Sequence, residues 1–137
     1  MIDRAIEAEL TVIAPEKVIS GMARGVDTIA ARVSRRLKIP YVAAVPFLAQ
    51  VSNHSDEDRA EWMELLEGAE DIQIVCDGDY AVWKFQKRNE WMVDNSQLVL
   101  AVWDGSRGGT ANCVKYAQRV GRDIRYLDWN SGTFVTR

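Results

Sequence analysis

Histidine is almost missing from this sequence: His54 stands alone, in a polar stretch ahead of Ser55. A serine–histidine triad would have to use it, and no nucleophile-elbow sequence accompanies it. It reads as a solvated loop residue. Cysteine is nearly as scarce. Cys76 and Cys113 are far apart, in apolar surroundings and outside any metal-ligand spacing. They read as two reduced, buried thiols, with no disulfide and no metal site implied. There is no Walker loop and no G-x-G-x-x-G, so ordinary ATPase and dehydrogenase chemistry loses support. No apolar run approaches the ~18 residues of a membrane helix and no signal peptide is visible, which points to a cytoplasmic setting without membrane contact.

An excess of positive charge is lacking as well. Lys and Arg number 17 against 20 Asp and Glu, a net charge of −3. Nucleic-acid binders usually carry a basic face. Here the basic residues fall into separate groups: Arg32, Arg35, Arg36 and Lys38; Lys84, Lys87 and Arg88; Arg119, Arg122 and Arg125. Net charge therefore disfavours nucleic acid as a partner. What is present is an ordinary globular balance, 47% apolar and 27% charged, over 137 residues that suit one domain with a real core.

Periodicity supplies the elements. Ile2 to Ile13 repeats apolar residues at helical spacing and stops before Pro15. Lys17 to Ser20 is a short strand, followed by a helix from about Gly25 to Lys38. Tyr41 to Val45 is a buried strand, Phe47 to Ser55 a loop, and Asp56 to Gly68 an acidic amphipathic helix resting on Trp62, Leu65 and Leu66. Asp71 to Asp77 reads as a strand and Tyr80 to Asn95 as a helix. Gln97 to Trp103 is the strongest strand signal, continuously apolar as a strand covered on both faces should be. Thr110 to Val120 is a helix stopped by Gly121, Asp123 to Trp129 a strand, and Ser131 to Arg137 a short edge strand or a frayed end. Strands alternating with amphipathic helices imply an α/β, Rossmann-like, three-layer fold. Its sheet would be mostly parallel, of about five strands, with helices on both faces. Ligands in such folds bind beyond the carboxyl ends of the strands.

Two stretches carry the chemistry. In Ser20-Gly21-Met22-Ala23-Arg24-Gly25-Val26-Asp27, a strand runs through glycines into a helix start, where unpaired N–H groups and the helix dipole suit phosphate. Asp104-Gly105-Ser106-Arg107-Gly108-Gly109-Thr110 repeats that arrangement after the strongest strand, with Thr110 placed to cap the helix or bind a phosphate oxygen. Two such turns converge naturally on one crevice. Arg88 and Asn89, on the preceding helix, add a guanidinium suited to phosphate or carboxylate and an amide suited to a hydroxyl. Trp91 or Trp103 offers a face for a base.

The segments VISGMARGVDTIAA, FQKRNEWM and LAVWDGSRGGTANCVKYA together resemble the SLOG superfamily of Rossmann-like proteins, most closely its YpsA-like branch of bacterial and prophage proteins. The resemblance runs from residue 17 to about 128. The first segment is similar to a stretch of DNA-processing protein A, which binds single-stranded DNA. The others resemble motifs of the Lonely Guy phosphoribohydrolases, which cut the N-glycosidic bond of nucleoside monophosphates. By that match Arg88 falls at a catalytic arginine position, and Gly108, Gly109 and Thr110 fall in the phosphate-binding turn. The glutamate expected three residues after Thr110 is Cys113 here. Relatives usually begin with a strand ahead of the first helix, whereas this sequence begins at that helix. The resemblance thus implies a gap in the sheet, filled by Ser131 to Arg137, by another subunit, or not at all.

These readings combine into one expectation. The chain binds a nucleotide or nucleotide-derived small molecule, as a sensor or regulatory protein, through Ser20, Gly21, Arg24, Asp27, Arg88, Asn89, Asp104, Gly105, Ser106, Gly108, Gly109 and Thr110. No cofactor is implied. The alternatives are hydrolysis or transfer at a nucleoside N-glycosidic bond, with Arg88 catalytic and Asp27 or Asp104 standing in for the glutamate, and a single-stranded-DNA module. A missing central strand would expose sheet edges and favour a homo-oligomer.

Overall fold

The computed structural model describes residues 1–137. Its elements are α1 (Ile2–Ile13), β1 (Val18–Ser20), α2 (Val26–Arg36), β2 (Tyr41–Val45), a 3-10 turn (Leu48–Val51), α3 (Asp56–Glu67), β3 (Asp71–Ile74), α4 (Val82–Asp94), β4 (Leu98–Ala101), α5 (Gly109–Arg119), β5 (Asp123–Asp128) and β6 (Thr133–Val135). Local chemistry sets the boundaries. Ala14 closes α1 in the left-handed region (φ 47°), its N–H on the Leu10 carbonyl. The Ser55 hydroxyl accepts the Asp58 N–H at 3.1 Å, and Asp56, Glu57 and Asp58 complement the positive end of α3.

The strands form two sheets of three instead of one sheet of about five. β1, β2 and β3 are mutually parallel, with Val18 opposite Tyr41 and Val42 opposite Asp71. β4 and β5 are parallel, and β6 runs antiparallel along the outer edge of β5. The Ser131 to Arg137 segment is therefore an edge strand at Thr133–Val135, and it does not fill the centre. β1 and β4 each have a strand on one side only. This explains a difference from expectation at β4: only Ala101 is buried, and Leu98, Val99 and Leu100 are half-buried. In β2, paired on both sides, all five residues are buried.

Helices cover both faces, as the period-2 alternation of the strands requires. Tyr41, Ala43 and Val45 pack with Ala31 of α2 and with Trp62 and Leu65 of α3. On the same side Ile6 and Leu10 of α1 join Val33, Leu127 and Phe134. Tyr126, one residue from Leu127, faces Val114 of α5 and Ala101 on the other side. The α2 arginines, which read as solvated, are surface ion pairs: Arg32 to Glu61 and Arg35 to Glu64 of α3, Arg36 to Asp3 and Glu7 of α1. No helix is long and apolar enough to cross a membrane.

Trp62 links this core to the turn after β1, its indole N–H donating to the Met22 carbonyl at 3.0 Å. Trp62→Phe keeps the ring's apolar contact but leaves that buried carbonyl unpaired. The expected loss is about 1–3 kcal/mol, read from denaturant unfolding.

Candidate functional site

The turn after β1 is held by its own polar groups. The Ser20 hydroxyl is buried, donates to the Asp27 carbonyl at 2.7 Å and accepts the Met22 N–H at 3.2 Å. Met22 adopts a positive φ of 60° and is wholly buried, an uncommon backbone state for a non-glycine residue that the Trp62 and Ser20 bonds secure. The Asp27 carboxylate accepts the N–H groups of Ala23, at 3.2 Å, and Gly21. Gly21 is confined for a different reason. A Cβ there would lie 2.8 Å from Asp27 Oδ2 and 2.9 Å from Arg88 Nη1.

α4 brings Arg88 and Asn89 to this turn. Both are buried, at 5% and 7% exposure, where the charge pattern alone would suggest solvent. Arg88 Nη1 donates to the Gly21 carbonyl, and its Nε donates to Asn89 Oδ1 at 3.1 Å. Asn89 Nδ2 reaches the Gly109 carbonyl at 3.3 Å. One Arg–Asn pair thus spans the two glycine-rich turns.

The second turn is open. Gly105 (φ 90°) and Gly108 (φ 144°) take backbone states that L residues avoid, with no atom near where a Cβ would stand. Asp104 Oδ1 accepts the Ser106 N–H at 2.9 Å and its hydroxyl at 2.5 Å, which holds that carboxyl below its usual range. The Trp103 indole N–H is bound to the Ser106 carbonyl at 2.8 Å. Neither α2 nor α5 has a side-chain cap. Their first N–H groups therefore lack intrahelical partners where the two turns meet.

A cavity of about 1530 Å³ opens here, lined at this end by Arg24, Asp27, Arg88, Asn89 and Gly108 to Thr110, with Cys113 beside them. Gly21 joins this group through Arg88. The other expected residues stand apart: Ser20 is spent inside its own turn, and Asp104, Gly105 and Ser106 lie on an exposed loop outside the cavity lining. Arg24 lines the cavity, but its guanidinium faces Asp58 at 3.5 Å. His54 is half-buried instead of solvated, and burial pulls its pKa down.

Burial dominates the electrostatics. It raises the Asp27 carboxyl, against the Arg88 charge and the Ala23 and Gly21 N–H groups. It lowers Arg88, against the Asp27 charge. Burial, with Asp27 adding to it, pushes the Cys113 thiol up to about 11. Cys113 is free and half-buried, and at neutral pH it remains a thiol and no nucleophile. Cys76 is likewise free and half-buried.

Sequence reasoning missed Gln50, whose amide donates to the Gly21 carbonyl at 3.3 Å while its buried Oε1 has no partner. It sits in an aperiodic loop that offers no signal. It also missed an edge-to-face cluster of Phe47, Tyr80 and Phe85, with the Arg88 guanidinium 6.0 Å from the Phe85 ring.

Comparison with known proteins places the chain. The model of the YspA SLOG family matches residues 1–129. The uncharacterised SPbeta prophage-derived protein YoqJ of Bacillus subtilis (strain 168) is 33% identical, over 75% of this chain and 70% of that protein. A UPF0398 protein of Lysinibacillus sphaericus (strain C3-41) is 25% identical, over 84% of this chain and 69% of that one. In structure, DNA processing protein A (DprA) of Streptococcus pneumoniae superposes with a TM-score of 0.69 at 18% identity, over 93% of this chain. The chain spans only 45% of the DprA chain. A putative molybdenum carrier protein of Syntrophus aciditrophicus SB gives a TM-score of 0.59 at 22% identity, over 86% of this chain and 66% of that one. Both likenesses bear out the Rossmann-like fold.

Two outcomes follow. Gly21→Ala drives a methyl into Asp27 and Arg88, and unfolding experiments should show a loss of about 1–3 kcal/mol. Asp27 has a folded pKa above its unfolded value, so its contribution to stability is complete below the ordinary carboxylate range and is lost as pH rises through the raised value. Asp27→Asn should therefore gain stability relative to the parent between pH 4.5 and 7, read from urea midpoints at both values; a narrowing difference contradicts the sign.

Proposed function

This chain belongs to the YspA SLOG family, and from that premise we propose that it binds the phosphate of a nucleotide or nucleotide-derived ligand between its two glycine-rich turns. The observation that carries the reading is the buried Arg88–Asn89 pair, which joins the Gly21 and Gly109 carbonyls where two uncapped helix starts meet. Helix N-termini and a guanidinium are the groups that stabilise a phosphate with little water between. The base would rest against the aromatic cluster, on Phe85 and the exposed Tyr80.

Binding without turnover is the reading the side chains support. Cys113 cannot act as the carboxylate that N-glycosidic cleavage needs. Asp104 is turned to Ser106, which leaves Asp27 as the carboxylate beside Arg88. DNA is supported by the likeness to DprA. Against it, seven of the 17 basic side chains are in ion pairs with carboxylates, Arg24, Arg32, Arg35, Arg36 and Arg125 among them.

Thermal unfolding with a panel of nucleoside mono-, di- and cyclic phosphates tests the proposal. A ligand at about 100 times its Kd adds ~2.7 kcal/mol, a shift of several degrees. Arg88→Lys keeps the charge but loses the fork, and should weaken binding by about tenfold or more. Tyr80→Ala should weaken nucleotides and leave inorganic phosphate unaffected. No shift with any nucleotide ends the proposal, and release of free base from the bound compound would convert it to the hydrolase reading.

A further inference from the structure

The space between the two sheets has a specific shape. β1 and β4 border it with backbone edges that no strand pairs. Their burial records what is missing, since β1 and β4 each bury a single residue while the doubly paired β2 buries all five. Helices already roof the space: Ile6 and Leu10 of α1 on one face, Met92 of α4 and Val114 of α5 on the other. At about 1530 Å³ the cavity exceeds the roughly 300–1,000 Å³ of ordinary small-ligand pockets. A nucleotide at the turns would leave the strand-lined part unfilled.

An occupant of this part has to satisfy backbone N–H and C=O groups on two sides and apolar side chains above and below. A β-strand does both, and one covered on both faces is apolar throughout. Charge sets its direction. Ser20 of β1 and Ala101 of β4 both lead toward the crevice of Arg88 and the α2 and α5 N-termini, so that end of the space is electropositive. The opposite end is lined by Glu16, Asn95, Ser96 and Gln97. A strand parallel to β1 and β4 delivers its C-terminal end to the positive side, where an acidic group is complementary. An antiparallel strand would place its other end there.

We propose that the gap between β1 and β4 is the seat of a seventh strand: an apolar polypeptide segment from outside residues 1–137, parallel to both edges and acidic just past its C-terminal end. It joins the two three-stranded sheets into one continuous sheet by strand addition. The proposal does not depend on nucleotide binding.

The test adds a synthetic peptide to the intact protein without nucleotide. The peptide is Lys-Lys-Val-Val-Ile-Val-Ala-Glu, with a free C-terminal carboxylate. Calorimetric binding should be accompanied by about tenfold or greater slowing of amide exchange at Val18–Ser20 and Leu98–Ala101. A peptide ending in Gln-amide should bind several-fold more weakly, and one with Pro at its fourth and sixth positions should not bind. No binding, equal binding of the proline peptide, or no exchange protection at the two edges overturns the proposal. So does protection that rises with protein concentration alone, which would assign the gap to a second copy of this chain. A nucleotide-induced thermal shift in the absence of peptide binding would leave the proposed function standing and remove this inference.

Discussion

The donation from the Arg88 guanidinium to the Gly21 carbonyl is the contact on which the site's geometry depends. A buried cation is costly unless its charge and its N–H groups are met. Arg88 meets both requirements across the gap: the Gly21 carbonyl and the Asp27 charge lie beyond β1, and Asn89, which it holds, reaches the start of α5 beyond β4. α4 thereby fixes the spacing of two turns that belong to different sheets. Without the guanidinium, Asp27 would keep its burial and lose the charge that offsets it.

The two turns have different characters. The first is internally satisfied, its hydroxyl, carbonyls and carboxylate bound to neighbours from α2, α3 and α4. The second projects into open space on three glycines and is stiffened only near Asp104 and Ser106. One wall of the crevice is rigid by construction and the other adjusts at low cost. That suits a ligand gripped from one side and closed upon from the other.

Much of this was legible in the sequence because it is local. The apolar spacing of Ile6 and Leu10 marks α1, the run Leu98–Ala101 marks β4, and the glycines at 105 and 108 mark a turn that needs positive φ. The family resemblance singled out Arg88. What was not legible depends on partners far along the chain. Arg88, Asn89 and Lys84 carry the signature of a solvated helix face, yet they are buried because carbonyls of distant turns receive them. Ser20 looked available for ligand, and its hydroxyl is consumed by Asp27 and Met22, a bond that no spacing rule reports. The division of the sheet follows from pairing, which apolar patterning leaves open.

The packing of α1 has a consequence for how the chain is made. Its apolar side, Ala5, Ile6 and Leu10, is completed by Leu127 and Phe134 from the last two strands. During synthesis at about 5–20 residues per second, that stripe waits on the order of ten seconds for its partners to leave the ribosome. Meanwhile β1, β2 and β3 can close on α2 and α3 through short local crossovers. The first helix to emerge is thus among the last to be covered. Its surface arginine partner, Arg36 of α2, can hold Asp3 and Glu7 in place during the interval, a handrail that keeps the helix near its berth before the hydrophobic contact exists.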